Sequence, residues 1–507
     1  MTDAALPQTL RDVIEQQVAT QPDAPLLVHP ATGVITTYAD LRRTALQLAG
    51  ELAEAGIVPG DVVSTMLPNG GAAVEVFLGA MHGGYVVSPI NLLAQDAQLE
   101  HVLAHSGTRI VFAALEHVTR LTLLAAKAAP RLRIRATDPD AVAPQSAREP
   151  PPVAVAPSSP ALLMYTSGTT GLPKGVLLTH RNLLASARAV AAAQALTPAD
   201  RVLSALPLYH INGQCIATLA PVVSGGSIVL PRRFSVSGWW PLVERFAPTW
   251  LNLVPTMIAF LCNGPELTPA QRHACRGLRF ARSASAPLPP EQHRAFEQRF
   301  GVSIVEAMGL TETASVAFTN PLDPAARRIG SPGLPLAVQA RVMAPDGREL
   351  PAGQAGEIGL RGEPVMQGYF HAPELTAQAL DADGWLATGD LGYHDADGYY
   401  FITGRLKELI IKGGENIAPR EIDEALLAHP AVLEAAAVGI PDVEYGQEIL
   451  ACVVLKEGAT CSEADLRAHC RRLLGRYKAP KELRFVDELP KGPSGKVQRR
   501  RLLDFVA

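Results

Sequence analysis

Between residues 41 and 81 the spacing of apolar side chains changes period twice, and that alternation limits the fold more than any other feature. Leu41, Ala45, Leu46, Leu48, Ala49 and Leu52 recur at helical spacing over 41–55. Residues 61–67 then read as a buried strand, and 72–81 as a helix again. Such βα alternation requires sheets whose faces are covered by helices. A further helix is expected from 179–182 to about residue 196. From residue 354 the texture becomes strand-rich, with strands at 357–362 and 398–404. The last hundred residues read as a small α+β unit: helix 420–428, strands 433–440 and 449–455, helix 462–474. The boundary falls at 404–407, without a long linker, which predicts a tight hinge between a domain 1–404 and a domain 405–507. Residues 138–160, rich in proline and including Pro150, Pro151 and Pro152, suit neither a helix nor a central strand, so they are expected to form an exposed connector.

At 507 residues the chain exceeds one ordinary core. The net charge of −4 argues against a general nucleic-acid binder. No apolar run is long enough to span a bilayer, and the opening Met1-Thr2-Asp3-Ala4-Ala5 lacks the basic-then-apolar order of a signal peptide. Cysteines 215, 262, 275, 452, 461 and 470 are scattered, with no Cys-x-x-Cys pair, and read as reduced thiols. These features lead to the expectation of a cytoplasmic enzyme with small-molecule partners, without membrane or nucleic acid.

The segment Tyr165-Thr166-Ser167-Gly168-Thr169-Thr170-Gly171-Leu172-Pro173-Lys174-Gly175 follows the apolar run Ala161-Leu162-Leu163-Met164. A short strand thus enters a turn rich in glycine and hydroxyls. Glycines let backbone N–H groups crowd an anion, hydroxyls add donors, and Lys174 adds a mobile positive charge. It is not a Walker A loop, because no Lys-Ser or Lys-Thr pair opens a following helix. Taken alone, such a string is most often a polar loop.

Downstream partners in a fixed order change that reading. Glu306-Ala307-Met308-Gly309-Leu310-Thr311-Glu312-Thr313, then Asp390 in Thr388-Gly389-Asp390-Leu391-Gly392, then Arg405 after Gly404, and Lys496 in Pro490-Lys491-Gly492-Pro493-Ser494-Gly495-Lys496-Val497 complete a series. The series resembles the adenylate-forming (AMP-binding) superfamily: acyl-CoA synthetases, luciferases and peptide-synthetase adenylation domains. The resemblance implies the fold of that superfamily, α/β plus a small α+β domain. A large N-terminal domain of layered βα sheets and a β-barrel-like subdomain would precede a mobile C-terminal domain. It implies ATP, Mg²⁺ and coenzyme A as cofactors. It assigns Thr166, Ser167, Gly168, Thr169, Thr170, Gly171 and Lys174 to the phosphates, and Thr311 to the α-phosphate. Glu312 would hold Mg²⁺, Asp390 and Arg405 the ribose. Ser285 and Ala286 would wall the adenine, with Met308 where the family usually has an aromatic residue. Lys496 matches the adenylation lysine and Lys407 the hinge. Gly413 and Gly414 would line the pantetheine channel, although a Gly-Gly pair after a short strand is commonly just a hairpin turn. Tyr445, Lys478 and Lys481 match residues near the CoA nucleotide, while Ala479 stands where some relatives have a basic residue.

The implied reaction joins a carboxylic acid to CoA in two steps through an acyl-adenylate. Pro207-Leu208-Tyr209-His210-Ile211-Asn212-Gly213-Gln214 resembles the gate and pocket wall of acyl- and aryl-CoA ligases, with His210 as the gate. Together with Phe280-Ala281-Arg282-Ser283-Ala284-Ser285-Ala286 it looks closest to the oxalate–CoA ligase-like branch. Asn212, Gln214, Arg282, Ser283 and Ser285 could meet a small polar or dicarboxylic acid, whereas Met308, Gly309 and Leu310 could floor a medium-chain or aryl pocket. The aspartate region that clamps an amino acid in peptide synthetases is missing. Loading of a carrier protein instead of CoA stays open, with Lys412 to Glu415 favouring CoA.

Overall fold

A computed structural model of the protein describes residues 6–142, 144, 146, 153–166, 172–492 and 497–505. The expected alternation builds two large sheets. One has seven strands among the described residues, in the order Gly368–Tyr369, Lys174–Thr179, Pro160–Thr166, Val86–Pro89, Val62–Met66, Ile110–Ala113, Arg133–Ala136. Val62–Met66 lies parallel to both neighbours, while Pro160–Thr166 and Lys174–Thr179 form an antiparallel hairpin. The other sheet has nine strands, with Arg201–Ser204, Trp250–Leu253, Phe280–Ser283 and Ile304–Met308 running parallel side by side.

Between the sheets lie helices that must be apolar on all sides. Gly71–Gly83 is buried at every residue, as a helix enclosed by two sheets should be. The main core joins Val63, Val87 and Leu162 of one sheet to Val202, Trp250 and Phe280 of the other. Glu75 sits inside this layer, its carboxylate accepting from the Val142 amide at 2.8 Å. Burial raises its pKa.

The helices read at 41–55, 72–81 and 420–428 are Tyr38–Glu54, Gly71–Gly83 and Pro419–Leu427. The helix expected to reach about residue 196 is His180–Ala193, opened by a reciprocal cap between Thr179 and Asn182. The strand-rich region, expected to be barrel-like, is a four-stranded antiparallel sheet of Gln339–Met343, Gly356–Arg361, Leu386–His394 and Tyr400–Arg405. The C-terminal unit has its own core. Val432–Asp442 and Gly446–Leu455 form a long hairpin, Glu482–Phe485 adds in parallel, and Pro419–Leu427 packs on it through Ile422 and Leu426. These strands run longer than the apolar spans because antiparallel pairing carries them to the turn, where Asp442 faces Gly446.

Candidate active site

The hairpin that holds the glycine–threonine loop places Thr166 opposite Lys174 in register. Ser167, Gly168, Thr169, Thr170 and Gly171 lie outside the described residues. Thr166 Oγ1, at the entrance to the loop, is buried without a partner among the described residues. Lys174 Nζ donates to the Tyr369 hydroxyl and stands 3.5 Å from Glu312 Oε1. The same hydroxyl donates to Glu312 Oε1 at 2.9 Å. Burial raises the Tyr369 pKa, so its hydroxyl remains a donor. Tyr369 reaches this place because Gly368–Tyr369 adds as an edge strand to Lys174–Thr179. Sequence reading missed it, since two residues of strand carry no period.

A second group of predicted residues meets in a cleft of ≈ 270 Å³. Ser285, Ala286, Met308, Gly309, Asp390 and Arg405 all line it, as does Ser283. Asp390 and Arg405 are register partners on adjacent strands, and Arg405 Nε donates to Asp390 Oδ1 at 2.7 Å. Burial alone would lower the Arg405 pKa; the Asp390 carboxylate outweighs it and the pKa is raised. Gly389 permits the turn before Asp390 with φ +72, and its amide donates to Glu357 Oε1. Gly309 approaches the 315–316 backbone so closely that a Cβ would sit 2.2 Å from Ser315 O.

Behind the cleft, Glu306 Oε1 accepts from Gly330 N at 3.0 Å and pairs with His293 Nδ1 at 2.8 Å. His293 Nε2 meets Glu297 at 3.2 Å. This bridge also escaped the sequence, although His293 and Glu297 stand four apart on the helix Pro290–Phe300.

The candidate acid end is polar. Asn252 Nδ2 donates to Asn212 Oδ1, and Asn212 Nδ2 to Ser285 Oγ, each at 3.0 Å. Asn212 opens a π-helical segment, Asn212–Leu219, a geometry frequent at functional sites. His210 Nδ1 accepts from the Asn212 amide at 3.3 Å. Leu310 packs instead toward Phe318 and Val342, and Thr311 starts a 3₁₀ turn, Thr311–Thr313, that leads to Glu312.

The C-terminal domain closes the cleft with Pro419, Arg420, Asp423, Leu433 and Val497 among others. Lys496 lies outside the described residues. Arg499 is paired with Asp423 and lies 3.3 Å from Glu408. Lys407 lies in the 3₁₀ turn Leu406–Glu408. Gly413 and Gly414, at φ +55 and +87, turn a hairpin between Ile410–Lys412 and Glu415–Ile417. Gly413 N donates to Tyr445 O at 2.8 Å. Lys478 and Lys481 are held by Glu421 at 2.5 Å and by Asp442 at 2.6 Å. None of Gly413, Gly414, Tyr445, Lys478 and Lys481 lines the cleft.

Comparison with known proteins decides what the arrangement is. The AMP-binding enzyme family profile matches residues 14–370, and the AMP-binding enzyme C-terminal domain profile matches 421–496. The chain belongs to the AMP-binding enzyme family. It is 55% identical to a sulfoacetate–CoA ligase of Cupriavidus necator over 99% of both chains. It is 35% identical to an oxalate–CoA ligase of Arabidopsis thaliana over 92% of both. The structure of ATP-bound MatB from Rhodopseudomonas palustris superposes with a TM-score of 0.89 at 31% identity, covering 98% of each chain. The protein is therefore an AMP-forming, ATP-dependent acid–CoA ligase that works through an acyl-adenylate, with the two-domain architecture of that family. It uses ATP, CoA and Mg²⁺. Among the described residues no cluster of three or more His, Cys, Asp or Glu is suited to a metal. The expected Mg²⁺ ligand, Glu312, offers a carboxylate 3.5 Å from Lys174 Nζ, the oxygen donor that a hard cation prefers. Mg²⁺ in such sites takes one or two carboxylates and completes its shell with phosphates and water. Bound there, it would neutralise phosphate charge. No helix among the described residues is long and apolar enough to cross a membrane.

Proposed function

We propose that the acid is a short one carrying a second anionic group, with sulfoacetate as the leading candidate. The end-to-end 55% identity to a sulfoacetate–CoA ligase carries this reading. The polar chain Asn252–Asn212–Ser285 supports it over a medium-chain or aryl acid, whose apolar body would find no match there. An oxalate-like acid has weaker support, from a relative at 35%.

In the proposed mechanism the carboxylate oxygen of the acid attacks the α-phosphorus of ATP, and the bond to the α,β-bridging oxygen breaks. Lys174 and the hydroxyls of the loop 166–171 hold the leaving pyrophosphate, with Tyr369 orienting Lys174 and Glu312. Thr311 contacts the α-phosphate. Asp390 and Arg405 bind the ribose, and Met308, Ser285 and Ala286 enclose the adenine. Lys496 places its charge where negative charge gathers in the transition state. Val497 already lines the cleft, which supports that placement. The domain 405–507 then turns about Lys407, bringing the Gly413–Gly414 hairpin to the site. The CoA thiolate attacks the acyl carbon and AMP leaves. That hairpin does not line the cleft, which supports an adenylation-stage arrangement.

ATP–pyrophosphate exchange across sulfoacetate, malonate, oxalate, octanoate, benzoate and cinnamate tests the substrate. Sulfoacetate is expected to give the highest kcat/KM, and stronger exchange with octanoate or an aromatic acid would overturn the reading.

A further inference from the structure

Arg282 lies in the middle of the nine-stranded sheet, 1% exposed, on the strand Phe280–Ser283. It makes no hydrogen bond or ion pair with any described residue, and its Nε and Nη1 are sealed from solvent without a partner. Two half-buried arginines are paired instead. Arg327 donates to the Pro321, Leu322 and Ile304 carbonyls, and Arg499 is gripped by Asp423. Burial lowers the Arg282 pKa to about 10, which leaves it charged at neutral pH. Among the described residues none supplies its counter-charge, and an uncompensated buried charge is costly, which points to a bound anion.

Its surroundings indicate which ligand supplies that charge. The register aligns Arg282 with Asn252 on one neighbouring strand, and side chains at matched parallel positions share a face. Asn252 is the first link of the chain through Asn212 to Ser285, which lines the nucleotide cleft. Asn252 Oδ1 is likewise buried without a partner among the described residues. Ser285 stands three positions after Arg282, a span of at most about 11 Å. A ligand reaching from the cleft wall at Ser285 toward Arg282 would have to be short.

We infer that Arg282 is the specificity residue of a distal-anion subsite, pairing with the sulfonate or second carboxylate of the acid while the reacting carboxylate faces the nucleotide cleft. The inference rests on the small dianionic substrate proposed above and deepens it. A guanidinium fork offers two parallel donors to such a group, which fixes the acid's orientation as well as its charge.

The test compares Arg282→Met and Arg282→Lys with wild type on two acids that differ only at the far end: sulfoacetate, and methylsulfonylacetate, whose far end is uncharged. Wild type should prefer sulfoacetate. Arg282→Met should lower kcat/KM for sulfoacetate about 100-fold and leave methylsulfonylacetate within about 3-fold. Its ligand-free thermal midpoint should not fall, since a buried unpaired charge is replaced by an apolar chain of similar length. Arg282→Lys should restore part of the selectivity without the bidentate geometry, and serves if the Met variant does not fold. Equal loss on both acids, or an unchanged preference for sulfoacetate, overturns the subsite. If wild type prefers malonate or oxalate and Arg282→Met removes that preference over the matched monoanion, the sulfoacetate reading fails and the subsite stands.

Discussion

Replacing His293 by glutamine removes the imidazole that ties Glu306 to Glu297 behind the cleft. Burial alone would lower the His293 pKa, but the hydrogen bonds and charges of Glu297 and Glu306 outweigh it and raise it to about 9. A histidine whose folded pKa lies above its unfolded value of 6.5 stabilises the protein fully at low pH. That contribution fades as pH rises from 6.5 through 9. The shift corresponds to about 3 kcal/mol. Wild type should therefore lead His293→Gln in stability at pH 6.5 by about 3 kcal/mol more than it does above pH 9. Taking the difference between the two proteins cancels other titrating groups. Urea unfolding followed by tryptophan fluorescence suits the measurement, because the four tryptophans, Trp239, Trp240, Trp250 and Trp385, all precede residue 404. The signal then reports the large domain. Because Glu306 lines the cleft, KM for ATP should rise over the same pH window in wild type alone. A stability difference that stays flat from pH 6 to 9.5 would refute the charged His293 bridge.

Asp390→Asn should lower kcat/KM for ATP about 100-fold and erase the preference for ATP over 3′-deoxy-ATP; a preference that survives would remove Asp390 from the ribose. In Gly413→Ala the new Cβ would lie 2.8 Å from the Tyr477 hydroxyl at φ +55. Thioester formation should slow about 10-fold while pyrophosphate exchange holds. Lys496→Ala should abolish exchange yet still transfer supplied acyl-adenylate to CoA, and equal loss of both half-reactions would contradict its assignment to adenylation.

The motifs were legible because each is local. The glycine–threonine loop follows an apolar run, Gly389 announces the turn that carries Asp390, and the Gly413–Gly414 pair is a hairpin turn as its composition suggests. Helices at 41–55 and 72–81 were readable because the helical period shows within a single turn or two. The return strand Lys174–Thr179 was not read, since its pairing with Pro160–Thr166 depends on a partner across the loop. Tyr369 lies 195 residues from Lys174, in a two-residue edge strand with no pattern of its own.

By itself, then, the sequence determined the alternation of elements, the two-part chain, and the chemistry of an ATP-dependent acid–CoA ligase, because period and motif are properties of neighbouring residues. Tertiary structure alone decided the partners. Sheet order places Tyr369 on Lys174 and Glu312, and packing joins His293 to Glu306. Parallel register sets Arg282 beside Asn252, and among the described residues its charge has no counter-ion. Whether a buried charge is paired is a property of distance and enclosure, which chain order does not encode.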